Sequence, residues 1–75
     1  MIRHHLTLPM IARRRGLINT PRGPIMECVV TRSHGIHVCV FQILPTSTDE
    51  EMVAAAHKTL RSLDSDYAGN TIWAR

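Results

Sequence analysis

The stretch that most constrains the fold is residues 25–44, IMECVVTRSHGIHVCVFQIL, in which two apolar runs flank a His-Gly pair. Glycine tolerates the positive φ that a type I′ turn requires, and histidine is among the better non-glycine residues in that region. The stretch therefore predicts a β-hairpin whose turn residues are His34 and Gly35. Counting outward gives the cross-strand pairs Ser33–Ile36, Arg32–His37, Thr31–Val38, Val30–Cys39, Val29–Val40, Cys28–Phe41, Glu27–Gln42 and Met26–Ile43.

Both faces of this hairpin carry apolar side chains, because side chains alternate between the faces of a strand. The first face collects Met26, Cys28, Val30, Cys39, Phe41 and Ile43. The second collects Val29, Val38, Val40 and Ile36, with Glu27 and Gln42 at one end. One helix covers only one face of a small sheet. The second face is therefore expected either to lie under a loop around Leu17 and Ile18 or to be a protein interface.

One α-helix is predicted after the hairpin, over about residues 48–63. Thr48 and Glu51 have the spacing of a capping box, and Ser47 with Glu50 is an alternative one residue earlier. Helical periodicity predicts a buried stripe that consists of Val53, Ala56, Leu60 and Leu63, with Met52 at its edge.

The remaining segments complete one small α+β domain over residues 1–75. Residues 2–8 alternate well enough for a first strand, and residues 71–73 for a short last strand. Residues 12–24 hold four arginines, two glycines and two prolines, which predicts an Arg/Gly/Pro-rich loop. We thus expect a single-layer, mostly antiparallel sheet packed against one helix, in the order β-β-β-α-β.

Length and composition indicate a protein of the cytoplasm. No run approaches the roughly 20 apolar residues that span a bilayer, so no membrane partner is expected. Arg3, His4, His5 and Pro9 interrupt the first apolar run, which argues against a signal peptide. The two cysteines are then expected to be reduced thiols.

The residues that could carry chemistry are few. His34, His37 and Cys39 spell HxxHxC, and Cys28 makes a fourth potential zinc ligand. A zinc site is not expected, because His34 is a predicted turn residue and the usual ligand spacings are absent. Both cysteines are predicted to be buried core residues. The chain also lacks a glycine-rich phosphate loop, so we expect a non-enzyme with no cofactor, no metal and no small-molecule substrate.

Positive charge is concentrated in residues 1–37, which hold six arginines and one glutamate in a chain of net charge +3. Arginines in a loop can contact phosphates without sequence specificity. Binding of nucleic acid through Arg13–Arg15 is therefore the alternative functional hypothesis.

The hairpin followed by the helical segment EEMVAAAHKTL is similar to the second half of a double-stranded-RNA-binding domain. That family places lysines at the start of the helix to grip phosphate. This chain has Asp49, Glu50 and Glu51 there instead, which puts the corresponding phosphate contacts in doubt.

The leading hypothesis is a small, non-catalytic protein-binding module. Its partner would be a larger host protein or complex, or a second copy in a homodimer. By size and composition alone, the chain resembles the small inhibitors of host machinery that phages and mobile elements encode, anti-CRISPR proteins among them. Tryptophan and arginine are enriched at interface hot spots. The predicted partner contacts are Arg13, Arg14, Arg15, Arg22, Trp73 and Arg75, with Val29, Ile36, Val38 and Val40 as apolar interface candidates.

Overall fold

A computed structural model describes residues 9–75 as one sheet and one helix. The elements are β1 (Met10–Thr20), β2 (Gly23–Arg32), β3 (His37–Ile43), α1 (Asp49–Leu63) and β4 (Ile72–Ala74). The strand order is β3-β2-β1-β4. The β1–β2 and β2–β3 pairs are antiparallel, and β4 runs parallel to β1. The predicted fold class and the order β-β-β-α-β are confirmed, and the last strand lies within one residue of its predicted position.

The first strand of the described sheet lies where the sequence predicted a loop. The prediction of an Arg/Gly/Pro-rich loop over residues 12–24 is wrong, because β1 and β2 form a long hairpin through this segment. Its glycines and prolines occupy positions that a hairpin tolerates: Pro21 lies in the turn, and Gly23 has a φ of 114°. The strand predicted at residues 2–8 lies outside the described residues.

The hairpin predicted over residues 25–44 is present, with the predicted register over most of its length. The pairs from Met26–Ile43 to Val30–Cys39 are confirmed. Closer to the turn the prediction is wrong, because Thr31 pairs with His37 rather than with Val38. Val38 is an extra residue on β3 and forms a β-bulge.

The turn of this hairpin holds three residues rather than two. The Arg32 N–H donates to the Ile36 carbonyl oxygen at 2.8 Å, and the Gly35 N–H donates to the Arg32 carbonyl oxygen at 2.8 Å. Gly35 has a φ of 91°, whereas no non-glycine residue in the described range has a positive φ. The predicted type I′ turn with a left-handed His34 is therefore wrong. A three-residue loop that ends on a left-handed glycine is another common hairpin connection.

The helix begins and ends as predicted. The Thr48 Oγ1 accepts from the Glu51 N–H at 3.2 Å, and the Glu51 carboxylate accepts from the Thr48 N–H at 2.9 Å, so the capping box is confirmed. No helix within residues 9–75 is long and apolar enough to cross a membrane.

The helix packs on the first face of the hairpin and closes the core. The core consists of Met10, Ala12, Cys28, Val30, Cys39, Phe41, Met52, Ala56, Leu60 and Ile72. Met52 lies at the centre of the buried stripe rather than at its edge. The prediction that Leu63 is buried is wrong: it is 69% exposed, because it is the last residue of α1 and the chain leaves the helix at Asp64.

Candidate functional site

One face of the sheet packs against α1, and the opposite face does not. Side chains that alternate with the core residues along each strand point to this face, and no helix or strand of residues 9–75 covers it. We call it the open face. The register places on it Trp73 of β4, Ile11, Arg13 and Ile18 of β1, Ile25, Glu27, Val29 and Thr31 of β2, and His37, Val40 and Gln42 of β3.

The run of three arginines is divided between the two faces of the sheet. Arg13 pairs with Val29 and lies on the open face, whereas Arg14 pairs with the core residue Cys28. Arg15 lies in a β-bulge between Arg14 and Gly16. Arg13 and Arg15 are exposed and Arg14 is half-buried.

Arg14 has a structural role that its position in a run of arginines does not reveal. Its Nη1 lies 2.6 Å from the Asp49 Oδ1, and its Nη2 donates to the Ser47 carbonyl oxygen at 2.6 Å. These contacts join β1 to the start of α1. Because its guanidinium is already engaged by Asp49 and Ser47, Arg14 is poorly suited to binding a partner.

A cleft of about 330 Å³ lies on the open face, beside the β2–β3 turn. It is lined by Arg13, Arg15, Val29, Thr31, Gly35 and His37. Val29 lines the cleft but is only 5% exposed, so little of its side chain is accessible there. The two guanidinium groups donate hydrogen bonds, and the Thr31 hydroxyl and the His37 ring can also donate. Alternation with Val29 already predicted Thr31 for this face. The predicted pairs placed His37 on the first face, two residues from Cys39, and only the bulge at Val38 brings it to the cleft.

The predicted interface residues are not all on one surface. Val40 and Ile36 are exposed large apolar residues, and Val29 lies on the open face as expected. The assignment of Val38 to this face is wrong, because the bulge turns its side chain against the core, where it is half-buried. The expected cover by Leu17 and its neighbour is also wrong: Leu17 lies in β1 and is exposed.

The remaining predicted contacts lie away from the cleft. Arg22 is exposed in the β1–β2 turn, where its N–H donates to the Thr20 Oγ1 at 3.2 Å. Arg75 follows β4, and its N–H donates to the Ala12 carbonyl oxygen at 2.8 Å. Trp73 is 61% exposed and pairs with Ile11, so it lies on the open face. Ile11 pairs in turn with Thr31, so β1 separates Trp73 from this residue of the cleft.

The four potential zinc ligands lie in different parts of the fold. Cys28 and Cys39 are free thiols in the core, as predicted. His37 lines the cleft on the other face, since the bulge reverses the orientation expected for it, and His34 is an exposed turn residue. Within residues 9–75, no group of three or more His, Cys, Asp or Glu residues is placed to hold a metal ion.

Burial makes both thiols weak nucleophiles. It raises the pKa of Cys28 and of Cys39 above the ordinary value. For Cys28, the positive charge of Arg14 opposes this rise and the negative charge of Glu27 adds to it. A protonated, buried thiol is a poor nucleophile and a poor metal ligand at neutral pH.

A polar cluster between α1 and the segment before β4 was not identified from the sequence. The Tyr67 hydroxyl lies 2.8 Å from the His57 Nδ1 and donates to the Asn70 carbonyl oxygen at 3.3 Å. Burial lowers the pKa of His57, and the positive charge of Arg61 lowers it further. The cluster holds the chain against α1 on its way to β4, which is a structural role.

The open face and its cleft are thus the features of the described chain that are suited to binding. No protein-family model, curated protein or solved structure matches the chain. The chemistry of the open face is therefore the basis for inferring a function.

Proposed function

We propose that the chain is a small, non-catalytic protein-binding module that binds a larger protein through the open face of its sheet. The observation that supports this most directly is the mixture of side chains on that face. Val40, an exposed aliphatic residue, and Arg13 lie on either side of Val29 across the sheet, and Arg15 lines the same cleft as Arg13. An apolar patch with arginines and a tryptophan is typical of surfaces that bind other proteins.

The charge of the open face favours a different protein over a second copy of this chain. In a two-fold dimer formed through this face, the same patch of both copies would be in contact. The open face carries Arg13 and Arg15 but only one carboxylate, Glu27, so such a dimer would bury more positive than negative charge, which is unfavourable. A partner with carboxylates on its surface avoids this cost.

Nucleic acid binding is the second candidate, because one specific observation favours it. Trp73, Arg13 and Arg15 share the open face, and a base can stack on an exposed indole while arginines contact phosphates. Two observations weigh against this candidate. Arg14 is already paired with Asp49, and the carboxylate of Glu27 shares the open face with Arg13 and Arg15, so that face offers two arginines and a repulsive carboxylate to a phosphate backbone that needs several cations.

A finer form of the proposal is a cytoplasmic inhibitor that acts by occupying a functional surface of its partner. Its support is the small size and the arginine-rich composition that the chain shares with inhibitors encoded by phages and mobile elements, including anti-CRISPR proteins. An inhibitor of this kind acts stoichiometrically. The partner's activity should fall in proportion to added protein and reach its minimum at an equimolar ratio.

The experiment that tests the proposal compares two variants with the same change of charge. Val40→Glu places a carboxylate on the open face, and Leu63→Glu places one at an exposed position of α1. Each tagged variant is used to capture partners from a lysate with and without nuclease treatment, and circular dichroism confirms that both variants are folded. We expect a specific partner to be retained by the wild type and by Leu63→Glu and lost by Val40→Glu.

The outcome against the proposal is equally clear. Equal capture by both variants would mean that the open face is not the interface. Capture that nuclease treatment abolishes, with an affinity that falls steeply as salt is added, would favour the nucleic-acid candidate.

A further inference from the structure

We propose that the cleft on the open face is a carboxylate-binding site, which receives an acidic segment of the partner protein between Arg13, Arg15 and His37. This inference rests on the proposed function and specifies the chemistry of the partner. It concerns one part of the open face, whereas the proposed function concerns the face as a whole.

The arginines of the cleft have unused hydrogen-bonding capacity. The Arg13 guanidinium has no ion-pair or hydrogen-bond partner within residues 9–75. The Arg15 Nε lies 3.6 Å from the Glu27 Oε1, which is an ion-pair distance but too long for a hydrogen bond. Both guanidinium groups can therefore donate hydrogen bonds to a carboxylate in the planar, bidentate geometry that arginine favours.

The remaining lining groups are also suited to an anion. Thr31 and His37 can both donate hydrogen bonds, and no carboxylate lines the cleft. Glu27 is the next residue of β2 on the open face after Val29, on the side away from the β2–β3 turn. The cleft therefore presents donors to an incoming anion while Glu27 lies outside it.

A protein carboxylate fits these surroundings better than a chain of phosphates. Val40, which is 40% exposed, pairs with the cleft residue Val29, so the donors of the cleft share the open face with an exposed aliphatic side chain. An acidic protein segment can place apolar side chains next to its carboxylates. A nucleic acid strand would bring closely spaced negative charges towards Glu27, which would repel them.

Within residues 9–75, no carboxylate of the chain lines the cleft. The first eight residues, MIRHHLTL, contain no carboxylate. The acidic residues at the start of α1 are on the other side of the sheet, and Asp49 is already paired with Arg14. A separate acidic protein is therefore the occupant that charge complementarity favours.

The test uses the full chain and a short fluorescent peptide in which glutamate alternates with leucine. The control peptide has glutamine in place of glutamate. Fluorescence anisotropy measures the affinity, and amide chemical shifts in NMR spectra locate the site. We expect the glutamate peptide to bind about tenfold more tightly than the control, and its addition to shift the amides of Val29, Thr31 and His37.

Two substitutions should change the affinity in opposite directions. Arg13→Ser should weaken binding of the glutamate peptide about tenfold, whereas Arg61→Ser, which removes an exposed arginine from α1, should have no effect. Glu27→Gln should tighten binding about threefold, because it removes the carboxylate that competes for Arg15. A loss of folding cannot produce this gain of affinity.

Three results would overturn the inference. These are equal binding of the two peptides, chemical shift changes confined to α1, and tighter binding of a single-stranded DNA oligonucleotide than of the glutamate peptide. A different result would separate this inference from the proposed function. If Val40→Glu abolishes capture of the partner while Arg13→Ser does not, the open face is the interface but the cleft is not a carboxylate site.

Discussion

Arg14 of β1 and Asp49 of α1 form an ion pair, with 2.6 Å between the Nη1 and Oδ1 atoms, that joins the sheet to the first turn of the helix. The same guanidinium donates to the Ser47 carbonyl oxygen just before the helix. The neighbouring residues, Arg13 and Arg15, line the cleft on the opposite face. Three consecutive arginines therefore lie in two different environments, and substitutions at each position can compare them.

Arg14→Ser should lower the free energy of unfolding by roughly 1 kcal/mol, because it removes a partly exposed ion pair and a charge-assisted hydrogen bond. Arg13→Ser is the matched control and should change it by less than about 0.5 kcal/mol, since Arg13 has no such partners among the described residues. Urea denaturation followed by circular dichroism measures both values. Equal losses for the two variants would contradict the structural role of Arg14.

Gly35→Val should lower the free energy of unfolding by about 1–2 kcal/mol, because a β-branched residue is strained at a positive φ. A Cβ at this position meets no atom within 4 Å, so the cost comes from the backbone alone. Gly16→Ala is the control, because a Cβ there also meets nothing within 4 Å and its φ lies outside the positive range. Comparable destabilisation by both substitutions in thermal denaturation would show that Gly35 does not adopt a positive φ in the β2–β3 turn.

Leu60→Ala should cost about 2–4 kcal/mol of stability, since Leu60 is buried in the core. Leu63→Ala should cost less than about 0.5 kcal/mol, because this side chain is mostly exposed at the end of α1. The two residues are one helical turn apart, so the pair compares the same substitution at a buried and an exposed position. Urea denaturation measures both values. A larger loss for Leu63→Ala than for Leu60→Ala would mean that α1 presents a different side to the sheet.

Stability should decrease as the pH falls below about 6.5, the usual pKa of histidine, in part because of His57. Burial and Arg61 lower the pKa of His57 in the folded protein, so the unfolded chain binds more protons at this site in that range. The contribution of His57 to the free energy of unfolding is therefore fully present above the pKa of the unfolded chain. It is lost as the pH falls through the lower pKa of the folded protein. His57→Gln, which cannot be protonated, should show a smaller decrease in urea denaturation between about pH 7 and about pH 5. The other histidines are the same in both proteins, so identical pH dependence would exclude His57 as a contributor.

Several features of this protein follow from local sequence signals. The apolar pattern of residues 25–44 predicted the pairing of Val30 with Cys39 and the face that meets the helix, because a shift by one residue would expose that set of side chains. The capping box of Thr48 and Glu51 involves residues three apart and needs no other part of the chain. Signals of this kind can be read directly from the sequence.

Only the tertiary structure determined the location of the first described strand and the composition of the open face. Residues 10–20 contain the arginine run and Gly16, which locally favour a loop, but β2 and β4 on either side supply hydrogen-bonding partners that outweigh this preference. The bulges at Arg15 and Val38 then decide which side chains face the cleft. Each bulge adds one residue to a strand and reverses the alternation beyond it. Since strand pairing joins residues far apart in the chain, the cleft of Arg13, Arg15 and His37 exists only in the folded sheet.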